Sequence, residues 1–348
     1  MKAAIYHEFG GPEVLKYEDV PDPEPGPGEV VVKVHSVTVN RVLNCAVRAG
    51  DQPQRNVKPP HVGGVDPAGI VTALGAGVES PAVGTRVAVL SRVPCLDCDD
   101  CAAGKFNDCK KSCMLGIGCW GGDADYVKVP ASIVVPIPDN LDFAEAAAVL
   151  RHGPMAHHLL FGVGKLKPGQ SVLIMGAAGG LGSTGIQLAK QAGATVITTA
   201  GSDERLAIGM DLGADFGVNY NSEDLTKAVR DFTGGEGVHL VYENISSPDT
   251  WPKALACLRK FGRLVTAGAH GGGNVNLDCA FLYHQQLRII GSTASTDEDV
   301  AKTIAAAASG KLKAKVEKVF PLSEAPEAHR LMESTIPTGK IVLDPTLG

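Results

Sequence analysis

The chain has 348 residues, of which 44% are hydrophobic and 20% charged, and a formal net charge of −6. That length accommodates two domains with separate cores, and the balance is that of a globular protein. No basic block offers a footprint for nucleic acid, no apolar stretch reaches bilayer-spanning length, and the opening MKAAIYHEFGG lacks a signal-peptide core, so we expect a cytoplasmic protein whose partner is a small molecule. Acidic ligands remain open, because a local cationic pocket is compatible with an acidic chain.

Up to about residue 150 the sequence is rich in Val, Gly and Pro. Short β-type runs, residues 29–34 and 69–72, alternate with turn clusters such as PDPEPGPG, which predicts an irregular, mostly β domain. Within it Cys95, Cys98, Cys101 and Cys109 follow the spacing C-x2-C-x2-C-x7-C. Four thiolates with no histidine suit a closed tetrahedral zinc site that shapes a loop and leaves no position for chemistry. An iron–sulfur cluster is the main competitor, but the fourth cysteine is followed by Lys110 where a ferredoxin-type run places proline. Disulfides fit less well with an odd total of nine cysteines and no secretory signal.

From Lys167 onward the apolar runs 172–175, 196–199, 240–242, 263–266 and 287–290 are separated by helix-length segments, the pattern of parallel βαβ units. Gly193 and Gly213, each directly before a new strand, predict left-handed helix C-caps. The run VLIMG leads into AAGGLG and a helical segment through Ala192, so Ala178, Gly179, Gly180, Leu181 and Gly182 form a candidate dinucleotide loop. Glycines there let the backbone turn sharply and approach a pyrophosphate, which the helix start attracts. The second strand ends in Ala200-Gly-Ser202, without the carboxylate that an NAD site uses for the ribose 2′-hydroxyl. Ser202 is placed to cap the next helix, Asp203 and Glu204 to favour its start, and Arg205 to meet a 2′-phosphate, with solvation of an exposed helix as its plainer role. NADPH is therefore expected over NADH, with Tyr220 and Gly268 as further cofactor-binding candidates. The segment 321–344 returns to mixed character, and its Val-rich end, GKIVLDP, is able to rejoin the first domain.

With the four-cysteine loop ahead of a glycine-rich βαβ region, the chain resembles the medium-chain dehydrogenase/reductase superfamily, particularly its quinone-oxidoreductase branch. The matching segments include FGGPEVL, Val39-Asn40, DPAGIV from Asp66, GGDADY from Gly121, AAGGLG and GKIVLDP. The resemblance implies an α/β protein with a GroES-like, mostly β catalytic domain (1–152 and 291–348), a Rossmann doubly wound parallel-sheet domain (153–290), a substrate cleft at their junction, and a homodimer or homotetramer. It also places Asn40, Val65 and Arg151 where zinc-dependent members of the superfamily carry the cysteine, histidine and cysteine of a catalytic metal site. Valine cannot coordinate and arginine repels a cation, so one structural zinc and no catalytic zinc is expected.

Hydride delivery to a conjugated double bond or quinone suits such a site, because the charge is delocalised and hydrogen bonds meet it. Asn40, Arg151 and His152 are the catalytic candidates, Asn40 as a donor and the other two as anion binders or as the proton source for an enolate. His157 and His158 are read as helix-packing or surface residues, and Cys45 as a buried small hydrophobe. The alternatives are a zinc-type alcohol dehydrogenase and a weakly catalytic, NADPH-binding protein of crystallin type.

Overall fold

The run EVVVKVHSVTV folds as the strand Glu29–Val39, the spine of a mixed seven-stranded sheet. Its valines at 30, 32, 34, 37 and 39 are buried in one core cluster, as β-branched side chains on a pleated face should be. Antiparallel neighbours Ala68–Leu74 and Tyr126–Pro130 pair with it, and so does Lys340–Asp344, which sets Ile341 opposite Val39 and Leu343 opposite Val37. The Val-rich end of the chain thus returns to the sheet built near its beginning. A smaller three-stranded sheet, Leu15–Asp19, Lys2–Tyr6 and His61–Val62, completes the β framework. The computed structural model describes residues 1–293, 295–334 and 339–347 and groups the chain into two units, Met1–Arg151 with Lys313–Gly348, and His152–Leu312. Residues 291–312, assigned to the first domain on sequence grounds, fall in the second unit.

The second unit is built on a six-stranded, all-parallel sheet. Its strand order is Phe216–Asn219, Thr195–Ala200, Ser171–Met175, Val238–Glu243, Leu258–Thr266, Arg288–Gly291. The order reverses between Thr195–Ala200 and Val238–Glu243 on either side of Ser171–Met175, the switch point at which doubly wound folds bind ligands. Val172 to Met175 are fully buried, which explains their unbroken apolar run. Gly193 and Gly213 do follow helices with φ of +74° and +103°, a region glycine enters without a Cβ clash. Leu258–Thr266 is longer than the apolar run that predicts it, because its first half carries exposed Lys260 and Phe261 across a register irregularity. Among the described residues no helix is long and apolar enough to cross a membrane.

Candidate functional site

In the first unit a buried carboxylate, Asp66, gathers groups from distant parts of the chain. It follows Val65 in a loop ahead of the strand Ala68–Leu74 and is only 4% exposed. Its Oδ1 accepts the Thr38 amide at 2.9 Å, and its Oδ2 accepts the Thr38 hydroxyl at 2.6 Å and Asn40 Nδ2 at 3.2 Å. Arg151 Nε lies 3.8 Å from the same Oδ2. Asn40 is fixed at the end of the spine strand by an exchange with Asn44: its amide donates to Asn44 Oδ1, and its carbonyl accepts the Asn44 amide, both at 2.9 Å.

Arg151 belongs to the helix Phe143–His157, whose first amides at Ala144 and Glu145 donate to Asp142 Oδ1. Burial lowers the proton affinity of its guanidinium while the charge of Asp66 restores part of it. Lys340 joins this electrostatic group from the C-terminal strand. Burial pushes its ammonium down to about 8; Asp66 opposes the shift and Arg151 adds to it. Arg151 and Lys340 are thus the basic side chains, and Asp66 the carboxyl, of one interacting set. Val65, by contrast, is fully buried among Leu43, Val47 and Ile117, and the thiol of Cys45 is pushed up to about 12, chiefly by burial. Both are core residues, as their side chains demand.

His152 follows Arg151 on the same helix. Neighbours on a helix point roughly 100° apart, and the imidazole of His152 packs on Gly180, where a Cβ would meet its Cε1 at 2.5 Å. His157 and His158 are half-buried partners of one carboxylate: their Nδ1 atoms lie 2.5 and 2.9 Å from Asp299 Oδ1 and Oδ2. Asp299 also closes a capping box with Thr296, and these bonds help hold its carboxyl down to about 2 although burial alone would raise it.

The glycine loop of the second unit lies between Ser171–Met175 and the helix Gly180–Gln191. Gly176 has φ of +80°, and its amide and that of Ala177 donate to the Thr199 carbonyl. At Gly182 any side chain would begin 2.0 Å from the Gly176 oxygen, so the helix start is pressed against the turn. Gly180, Leu181 and Gly182 form the first turn of the helix, where backbone N–H groups lack intrahelical partners and a pyrophosphate is bound in dinucleotide folds.

Beside it, Ser202 caps the helix Asp203–Asp211 and its hydroxyl accepts the Arg205 amide at 3.5 Å. Asp203 accepts from Asn219 Nδ2 at 2.7 Å, which ties it to the neighbouring strand. Tyr220 covers Gly201, where a Cβ would stand 2.9 Å from the phenol oxygen. Among the described residues the Arg205 side chain has no recorded hydrogen bond or ion pair. Gly268 packs on Asn244, whose Nδ2 donates to the Met175 carbonyl at 2.9 Å. Buried Glu243 accepts the amides of Ile245 and Ser246, both at 2.9 Å. Glu243 at the end of this strand and Asn244 just after it are polar residues that the run 240–242 did not include.

The four cysteines converge. Their sulfurs all lie within 4.8 Å of one another, with individual separations of 3.5, 3.5, 3.8 and 3.9 Å. A tetrahedron with Zn–S bonds of about 2.3 Å has S···S edges of about 3.8 Å, so the set matches one zinc ion. Among the described residues it is the one group of three or more Cys, His, Asp or Glu disposed to hold a metal.

The chain matches two family descriptions, "Alcohol dehydrogenase GroES-like domain" over residues 26–139 and "Zinc-binding dehydrogenase" over 180–309. It is 32% identical to the 2-haloacrylate reductase of a Burkholderia species, over 99% of this chain and 98% of that protein. It is 28% identical to quinone oxidoreductase 1 of Escherichia coli K12 over 98% of each. Among solved structures it superimposes on an NAD-dependent alcohol dehydrogenase with a TM-score of 0.88, at 37% identity and 99% coverage of both chains. Similarity that spans both units at these levels makes the chain a member of the medium-chain dehydrogenase/reductase superfamily and an NAD(P)H-dependent oxidoreductase.

Proposed function

We propose that the protein is an NADPH-dependent reductase of conjugated carbonyl compounds or quinones, with a structural zinc and no catalytic one. The observation that carries this reading is the Asp66 group: Arg151, Asn40 and Lys340 surround a buried carboxylate. In the superfamily's zinc-dependent members, the positions of Asn40 and Arg151 hold metal ligands. Cationic donors aimed at an oxygen where negative charge develops lower a reaction barrier without a metal. The charge on an enone or quinone oxygen is spread by conjugation, which makes that demand small enough for hydrogen-bond donors.

When bound, NADPH supplies the hydride. The amides of Gly180 to Gly182 would hold its pyrophosphate, and Ser202, Arg205 and Tyr220 its ribose phosphate, while Asn40 and Arg151 receive the substrate oxygen. The zinc would be held by Cys95, Cys98, Cys101 and Cys109 and supplies only a cross-link, since four protein ligands leave no open position.

The assay is NADPH oxidation with a panel of enones, quinones and unsaturated acids, set against NADP reduction with simple alcohols. Activity confined to the first group supports the proposal; alcohol oxidation abolished by chelation of a second metal per chain removes it.

A further inference from the structure

Beyond the four-cysteine cluster, the next loop holds two more thiols. Cys113 Sγ and Cys119 Sγ lie 3.8 Å apart, both half-buried, and neither belongs to the group of four. The backbone enforces this approach. Cys113 and Met114 pair with Arg92 and Val93, and then the chain reverses, with Gly116 at φ +69° and the amides of Ile117 and Gly118 donating to the Met114 carbonyl. Gly118 faces Cys113 so closely that a Cβ there would stand 2.6 Å from Cys113 Cβ and 3.3 Å from its sulfur. The loop's exit is anchored by the Gly121 and Gly122 amides, which donate to the carbonyls of Val62 and Gly64. Both sulfurs are thus presented to each other by backbone fixed at either end, and a disulfide of about 2.0 Å requires them to close by less than 2 Å.

We propose that Cys113 and Cys119 are a redox-active dithiol, separate from the metal cluster, which a low-molecular-weight disulfide of the glutathione type converts to an intramolecular disulfide. In the first step the Cys113 thiolate attacks one sulfur of the external disulfide. The external S–S bond breaks, one thiolate departs and takes up the proton released by Cys113, and a mixed disulfide remains. In the second step the Cys119 sulfur, having lost its proton, attacks Cys113 Sγ and expels the second external thiol. The two protein thiols are oxidised by two electrons, and one external disulfide is reduced to two thiols. Cys119 acts second because burial, together with the charge of its neighbour, pushes its thiol up to about 12.

Trypsin cuts after Lys111 and Lys128, so both cysteines fall in one peptide, residues 112–128. The zinc-loaded full-length protein is incubated with glutathione disulfide, alkylated and digested, with zinc measured in parallel. The expected result is a peptide 112–128 that is lighter by about 2 Da, refuses alkylation and recovers both thiols with dithiothreitol, while zinc stays bound. Exposed Cys279, which takes up only a mixed disulfide, shows that the reagent is active. In Cys119→Ser the same peptide should instead retain one glutathione on Cys113, an adduct of about 305 Da. A wild-type peptide 112–128 that remains fully alkylated while Cys279 reacts, or one that oxidises only after the zinc has been stripped, overturns the proposal.

Discussion

Asp66 shows how little of a site needs to be chemically reactive for the site to be organised. Its oxygens accept three hydrogen bonds from Thr38 and Asn40, and Arg151 Nε lies 3.8 Å from one of them. Removing the guanidinium should therefore act on the transition state: Arg151→Ala is expected to lower kcat/KM for an enone by about 10²–10³-fold while NADPH affinity stays within twofold. Arg151→Lys should recover part of the loss. Equal losses of cofactor affinity and turnover in both variants would reduce Arg151 to a packing role. Asn40 and Arg151 stand out in the sequence through the family resemblance alone. Asp66 and Lys340 have no such signal, because the group joins residues 38, 66, 151 and 340, which strand pairing and the helix Phe143–His157 bring from distant parts of the chain.

A second carboxyl, Asp123, makes a separate test. It is 2% exposed, and burial with the nearby charge of Asp66 raises it to about 7, against a single long contact from Asn44 at 3.5 Å. A carboxyl whose folded-state value is raised favours the fold most below its ordinary value near 3.8. That contribution falls away as pH rises towards 7, with a slope of at most about 1.4 kcal/mol per pH unit. Asp123→Asn, compared with the wild type by urea unfolding from pH 4.5 to 8, should gain relative stability as pH rises through this window. A difference that does not change with pH would show that Asp123 titrates normally.

At the level of elements, the Asp66 group draws on strands at Thr38 and Lys340, on a loop at Asp66 and on a helix at Arg151. The parallel strands were readable because burial on both faces makes them continuous apolar runs. The glycine loop was readable because Gly182 is required by a contact of 2.0 Å with the Gly176 oxygen. His152, next to Arg151 on the same helix, packs on Gly180 at the start of the glycine-loop helix.

For the four-cysteine loop, metal analysis should find about one zinc per chain, and its removal by a strong chelator should lower the unfolding temperature without changing the ligand set around Asp66. Two zinc ions per chain, or the visible absorption of an iron–sulfur cluster, would contradict the assignment. On the helix Asp203–Asp211, Arg205→Ala should weaken NADPH binding by about 1.5–3 kcal/mol, the worth of hydrogen bonds to a charged group, and leave NADH unaffected. Titration of both cofactors decides it, and unchanged NADPH affinity would leave Arg205 as a solvated helix residue.

Taken as a whole molecule, the chain has two units and a four-cysteine cluster, and the family resemblance implies that Asn40, Val65 and Arg151 stand where zinc-dependent members bind a metal. Substrate identity was the least legible property, since the residues that meet a substrate arrive from segments with no periodic or spaced signature. The proposed reaction carries hydride to a conjugated carbon through a site of cations and hydrogen-bond donors. It is tested most directly by incubating the protein, with its zinc content measured, with NADPH deuterated at C4 and an α,β-unsaturated carbonyl compound, and locating the label by NMR. The predicted result is deuterium on the β-carbon, an intact carbonyl and about one zinc per chain. Deuterium on the carbonyl carbon, giving an allylic alcohol, or turnover that requires a second metal per chain, would contradict it.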